Sequence, residues 1–99
     1  MIEQLDSKSF SQQLHTIFQV LVPDIGAVPL ELIEVTEYTD QPKLEQFCLT
    51  FRGPRNPWFQ QKTLPVEHEA LGQMDLFIAP LGPDDQGMRY QVIFNRFRK

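Results

Sequence analysis

A chain of 99 residues has room for one compact domain, which buries roughly 60–70% of the surface it exposes when unfolded. Hydrophobic and charged fractions of 41% and 22% exclude a disordered chain, and no apolar run reaches the roughly 18–20 residues of a membrane-spanning helix. A net charge of −4 and a pI of about 5.0 turn most of the surface against phosphate, so neither nucleic acid nor membrane is an expected partner.

The charge is divided along the chain. Residues 1–50 hold eight acids and two bases, whereas residues 51–99 hold five acids and seven bases. The basic tail Arg96, Arg98 and Lys99 reads as a solubilising terminus or as a docking tail for an acidic partner. One cysteine, Cys48, excludes an internal disulfide and a four-cysteine metal site. The opening MIEQLDSKSF is acidic and polar and lacks the basic-then-apolar order of a secretory leader, so a cytoplasmic location is expected.

Residues 7–14 (SKSFSQQL) predict one short helix, capped by Asp6 or Ser7, with Phe10 and Leu14 four apart on one face. From Thr16 the period changes to two. Phe18, Val20 and Val22 alternate, and Pro23-Asp24-Ile25-Gly26 supplies a turn. In the run Val28–Glu37, Leu30 and Leu32 share one face and Ile33 and Val35 the other, which points to a bulge or a strand covered on both sides. Asp40-Gln41-Pro42 breaks the chain before Glu45–Arg52, where Phe47, Leu49 and Phe51 oppose Gln46, Cys48 and Thr50.

Gly53-Pro54-Arg55-Asn56-Pro57 reads as loop, because two prolines and a glycine do not sustain a central strand. Lys62–His68 predicts a fourth strand with Leu64, Val66 and His68 on one face. Ala70–Gln73 connects it to Met74–Ala79, Gly82–Gly87 is the next turn, and Met88–Phe97 is the last strand. No repeat or linker divides residues 1–99, so a single domain is expected. Six strands joined by short connections favour antiparallel neighbours. The expected fold is therefore mainly β, a short N-terminal helix plus a six-stranded antiparallel meander forming a small barrel or roll.

Chemistry is sparse. The chain has two histidines, His15 and His68, and no serine after Ser11, so a nucleophile elbow is absent. Alternation sets Cys48 and His68 on opposite faces of their strands and separates His68 from Glu67 and Glu69, which works against a Cys–His pair and a metal site. His68 reads as a half-buried histidine satisfied by a backbone carbonyl or a carboxylate. Asp84-Asp85 lacks the D-x-D-x-D-G spacing of a calcium loop and fits hairpin-turn chemistry. No cofactor, metal or catalytic residue is expected, and the chain reads as a non-enzyme.

The segment that stands out is GPRNPWFQQ, residues 53–61, which carries the single tryptophan beside a phenylalanine and an arginine. Aromatic and Arg side chains in a proline-stiffened loop have the composition of a protein-interaction hot spot. Arg55, Trp58 and Phe59 are its candidate contact residues, with one ring free to anchor the loop while the other is presented. A protein partner is thus the leading expectation. The alternative is a small β-barrel carrier holding an apolar ligand among Phe47, Phe51, Phe77, Tyr90 and Phe94. The last strand, with Tyr90, Val92 and Phe94 opposite Ile93, also offers an edge to a second copy.

Four segments carry a resemblance: Phe51-Arg52-Gly53-Pro54, Glu67 to Gly72 (EHEALG), Leu76 to Pro83 (LFIAPLGP) and Gly87 to Asn95 (GMRYQVIFN). They resemble an uncharacterised bacterial family of about 100-residue proteins known as a domain of unknown function. The resemblance runs from the Leu5–Phe10 opening to Asn95. It implies a stand-alone bacterial protein with an accessory or assembly role beside phage-tail-collar-like fibre proteins, and it transfers no catalytic residue. The family pattern has a Pro-Gln-Gly-Thr-Tyr-like turn where this chain has Phe59-Gln60-Gln61-Lys62-Thr63.

Overall fold

A computed structural model describes residues 6–38 and 44–97, without the side chains of residues 44, 96 and 97. The break at Asp40-Gln41-Pro42, Leu5 and the side chains of the basic tail lie outside the described residues. The chain is mainly β, as its alternation predicts. One short helix, α1 (Ser7–Ser11), precedes β1 (Ile17–Val22), β2 (Gly26–Tyr38), β3 (Leu44–Gly53), β4 (Lys62–His68), β5 (Gly72–Asp84) and β6 (Gly87–Phe97).

The strands form a closed antiparallel ring in the order β1-β2-β3-β6-β5-β4. The expected meander is therefore two three-stranded meanders, β1–β2–β3 and β4–β5–β6, and the loop after Gly53 carries the chain from one to the other. The longest ladder joins the two units, from Leu44↔Phe97 to Gly53↔Met88 between β3 and β6. The opposite joint, β1 to β4, has two register pairs, Gln19↔Glu67 and Val20↔Val66. Pro65 follows at once, and a proline has no N–H to continue the ladder.

Alternation fills the interior. Phe18, Val20, Leu30, Leu32, Phe47, Leu49, Phe51, Leu64, Val66, Ile78 and Tyr90 are almost wholly buried. Each large apolar side chain among them contributes roughly 1.5–3 kcal/mol by leaving water. The rings interlock: Phe47 stacks on Phe94 with centroids 4.6 Å apart, and Phe18 meets Phe51 edge-on at 5.2 Å. From α1, Phe10 plugs one end of this core, 6.0 Å from Phe47 and 5.5 Å from Phe94.

Three departures from the sequence reading have clear causes. The helix ends at Ser11 rather than Leu14, because the His15 N–H donates to the Leu32 carbonyl (2.7 Å) and the Leu32 N–H donates back to Thr16 (3.2 Å). Pairing to β2 thus takes the backbone that three more helical residues would need, and Leu14 stands partly exposed rather than sharing a buried face with Phe10. The second departure is in β5, which runs through Pro80 and Pro83 to Asp84 and leaves Asp85-Gln86 as the turn. Its β4 pairing stops at Ile78, so the prolines lie where β5 has one ladder neighbour. The third is Phe77, expected at the barrel mouth. It is 54% exposed on the outer face, because Met74, Leu76 and Ile78 take the inward positions.

The face switch in β2 is a bulge. Leu32 pairs with Phe51 and Glu34 with Thr50, so Ile33 is the extra residue that lets both Leu32 and Val35 serve the core side. A second register shift lies between Pro80 and Gly82 in β5.

Gly53 and Gly87 meet where β3 and β6 end together. A Cβ on Gly87 would fall on the carbonyl oxygen of Gly53, and one on Gly53 would strike the side chain of Leu30. The Gly87 backbone cannot retreat from that oxygen without opening the β3–β6 ladder. Gly87→Ala is therefore expected to destabilise the protein by about 1–3 kcal/mol, read as a lowered urea midpoint with an unchanged slope.

Candidate functional site

Residues 53–61 leave β3 at the end where β5 turns into β6, and two contacts fasten them there. The Phe59 ring is buried and lies parallel to Tyr90, with centroids 4.4 Å apart. The Phe59 N–H also donates to the Tyr90 hydroxyl at 3.3 Å. Burial raises the Tyr90 phenol above its ordinary pKa, and the amide bond from Phe59 only partly opposes this. The second contact is the Arg55 guanidinium, which donates through Nη2 to the main-chain carbonyl of Asp84.

Between these two anchors the Trp58 side chain is 46% exposed. The three candidate residues thus divide their work: Phe59 and Arg55 hold the loop against β6 and the β5–β6 turn, and Trp58 faces outward. Phe59 fills the anchoring role, so it offers little surface to a partner. Arg55 is exposed but already partly engaged.

Asp84 is the hub beneath the loop. Its Oδ2 accepts from Arg52 Nε at 3.2 Å and Nη2 at 2.7 Å, while its Oδ1 accepts the Gln86 N–H at 2.8 Å. Arg89 Nε stands 3.9 Å from the same Oδ2. The bonds from Arg52 and then the turn amide of Gln86 hold the Asp84 carboxyl below its ordinary pKa. The Asp84-Asp85 pair therefore performs hairpin and ion-pair chemistry. Among the described residues no group of three His, Cys, Asp or Glu side chains is placed to share a metal ion.

Cys48 and His68 point to opposite faces, as their alternation predicts. The Cys48 thiol is on the outer side of β3 but covered, and burial raises its pKa, which lowers the thiolate fraction that nucleophilic attack requires. His68 points inward, 4.2 Å from the Phe18 ring. Its partners are not the carbonyl or carboxylate expected from sequence. Nδ1 accepts from the amides of Ala70 (3.0 Å) and Leu71 (3.1 Å), so the proton is assigned to Nε2, which donates to Thr16 Oγ1 at 2.8 Å. The Thr16 hydroxyl in turn donates to the Gln13 carbonyl at 2.7 Å. Nothing in the residue type signalled this network. It requires the loop after His68 and the segment before β1 to arrive at the same ring.

The rings named for an apolar ligand, other than Phe77, are packed into the core: Phe47, Phe51, Tyr90 and Phe94 are each at most 9% exposed. An apolar hollow of about 340 Å³ lies elsewhere, on the outer surface beside the short seam, lined by Leu21, Val22, Pro23, Gly26, Ala27 and Pro65.

The fold and this end of it define a small closed-ring β domain that presents an anchored aromatic loop. A family profile described as "Domain of unknown function (DUF6916)" matches residues 5–94, and the chain belongs to that family. No curated protein and no solved structure matches the chain.

The His68 ring carries a pH prediction. Desolvation lowers its pKa below the ordinary 6.5, against a smaller opposing effect of Glu69, so the folded chain keeps the ring neutral where the unfolded chain protonates it. Unfolding then takes up a proton, and stability is full above about pH 6.5 and lost as pH falls through the folded midpoint. In urea titrations between about pH 8 and 5 the wild type should lose stability relative to His68→Gln, which has no proton to gain. Parallel profiles would contradict the assignment.

Proposed function

We propose that this protein is a non-enzymatic interaction or assembly-accessory module that meets a protein partner through residues 53–61. The observation that carries the reading is the exposed Trp58 on a loop fastened on both sides, by Arg55 at Asp84 and by Phe59 on Tyr90. A large ring held in place before contact loses little conformational freedom on binding, which is the property of an interface anchor.

The resemblance stated above supports a bacterial source and a partner among phage-tail-collar-like fibre proteins. Neither nucleic acid nor membrane is the proposed partner. The net charge of −4 disfavours the phosphate groups that both would present. We place the work in the cytoplasm, where a free thiol such as that of Cys48 stays reduced. Self-association is a second partnership of the same class, although the β6 edge expected for it is paired with both β3 and β5 at residues 88–91.

The test compares wild type with Trp58→Ala in affinity capture from a bacterial host, followed by purified binding to the captured protein. Truncation of an interface anchor costs about 2 kcal/mol or more, so affinity should fall roughly thirtyfold. Because Trp58 is half outside the fold, the unfolding free energy should stay within about 0.5 kcal/mol of wild type. Equal affinity of the variant, or capture of no protein, would sink the reading.

A further inference from the structure

Three guanidinium groups gather at the corner beneath the Trp58 loop in a protein that is acidic overall. Arg52 on β3 and Arg89 on β6 are register partners across the ladder, and Arg55 reaches in from the loop. Like charges placed directly opposite one another repel, so an anion between them steadies this arrangement. Asp84 is that anion, and both of its carboxylate oxygens are already engaged. One oxygen takes both bonds from Arg52 and the other takes the Gln86 amide.

The two remaining cations are under-used. Arg89 Nε lies 3.9 Å from Asp84 Oδ2, beyond hydrogen-bond reach, and its side chain is 45% exposed. The Arg89 guanidinium makes no hydrogen bond among the described residues, although it carries five N–H donors. Arg55 spends one donor on a neutral carbonyl and has no carboxylate of its own among the described residues. Other acids of the neighbourhood do not fill the gap. Glu31, across β2 from Arg52, is paired with His15 Nδ1 at 3.2 Å, and Asp85 forms no ion pair with any of the three arginines.

The geometry points to a docking corner for an acidic peptide segment of the partner, whose carboxylate sits against Arg89 and Arg55 while Asp84 keeps Arg52 in place. The inference rests on the proposed role of residues 53–61 and adds the chemistry of what they receive. A guanidinium binds a carboxylate through paired, directed N–H bonds, so a planar acid is a better match than a diffuse negative surface. Arg52 and the turn amides are spent on holding the corner. The donors open to solvent are those of Arg55 and Arg89, beside the exposed tryptophan.

The experiment uses the full chain and a fluorescein-labelled peptide of alternating Asp and Glu, with its Asn/Gln counterpart as the neutral probe, read by anisotropy. The acidic peptide should bind at least tenfold more tightly than the neutral one, and its affinity should fall with added salt. Arg89→Gln, which leaves the Arg55 anchor in place, should weaken the acidic peptide severalfold while the unfolding midpoint holds, and adding Arg55→Gln should bring the loss to tenfold or more. Lys62→Gln, an exposed base on β4, should change nothing. Equal binding of the two peptides, wild-type affinity of the double variant, or an equal loss with Lys62→Gln would each overturn the assignment. If the peptide fails while Trp58→Ala still abolishes partner capture, the acidic partner is wrong and the contact loop stands.

Discussion

The ring is closed by its shortest joint. β1 and β4 share two register pairs before Pro65 ends the ladder, whereas β3 and β6 pair along their whole lengths. A seam that short supplies few backbone bonds, so its strength must come from side chains, and His68 provides them. The ring packs on Phe18 in the core, caps the turn after β4 through two amides, and ties Thr16 at the start of β1 through Nε2. One neutral imidazole thus joins the last residue of β4, the following turn and the chain entering β1. A polar group buried this way is stabilising only while every bond is made, since an unsatisfied partner in the same place costs about 1–3 kcal/mol. That fit ties the closed ring at its shortest joint, beside the buried Val20 and Val66 pair.

The opposite end of the molecule is organised by close approach. Gly53 and Gly87 let β3 and β6 end side by side, and the loop therefore leaves β3 directly over the β5–β6 turn. That placement brings Arg55 to Asp84 and Phe59 to Tyr90. An eight- or nine-residue connection with two prolines would otherwise sample many arrangements. Here two contacts remove that freedom in advance, and the cost of ordering the loop is met by folding and not by binding. The arginine corner is a by-product of the same junction, since cross-strand register sets Arg52 opposite Arg89.

Several features were legible in the residues alone. The alternations Phe18-Val20-Val22, Phe47-Leu49-Phe51 and Leu64-Val66-His68 mark strands with one core face, and the switch between Leu32 and Val35 marks either a bulge or a strand covered on both sides, of which the β2–β3 register has the bulge. The loop at Gly53–Pro57 follows from glycine and proline. Other features were not. The helix loses its last turn because a β2 carbonyl takes the His15 amide, a long-range event with no local sign. Likewise β5 passes through two prolines because β4 has already stopped beside it. Within the loop, composition singled out Arg55, Trp58 and Phe59 together but did not say which ring would turn inward. Tyr90 decided that, from 31 residues away.

By itself the sequence determined the class of fold, the strand faces and the absence of a strand between β3 and β4, because side-chain period and the backbone limits of glycine and proline act over a few residues. The tertiary structure decided which strands are neighbours, where the ring closes and which loop ring is presented. Those outcomes depend on groups far apart in the chain: Leu32 on His15, Thr16 on His68, Tyr90 on Phe59 and Asp84 on Arg52, Arg55 and Arg89. Contacts of that range are settled only when the core collapses and each buried polar group must find a partner.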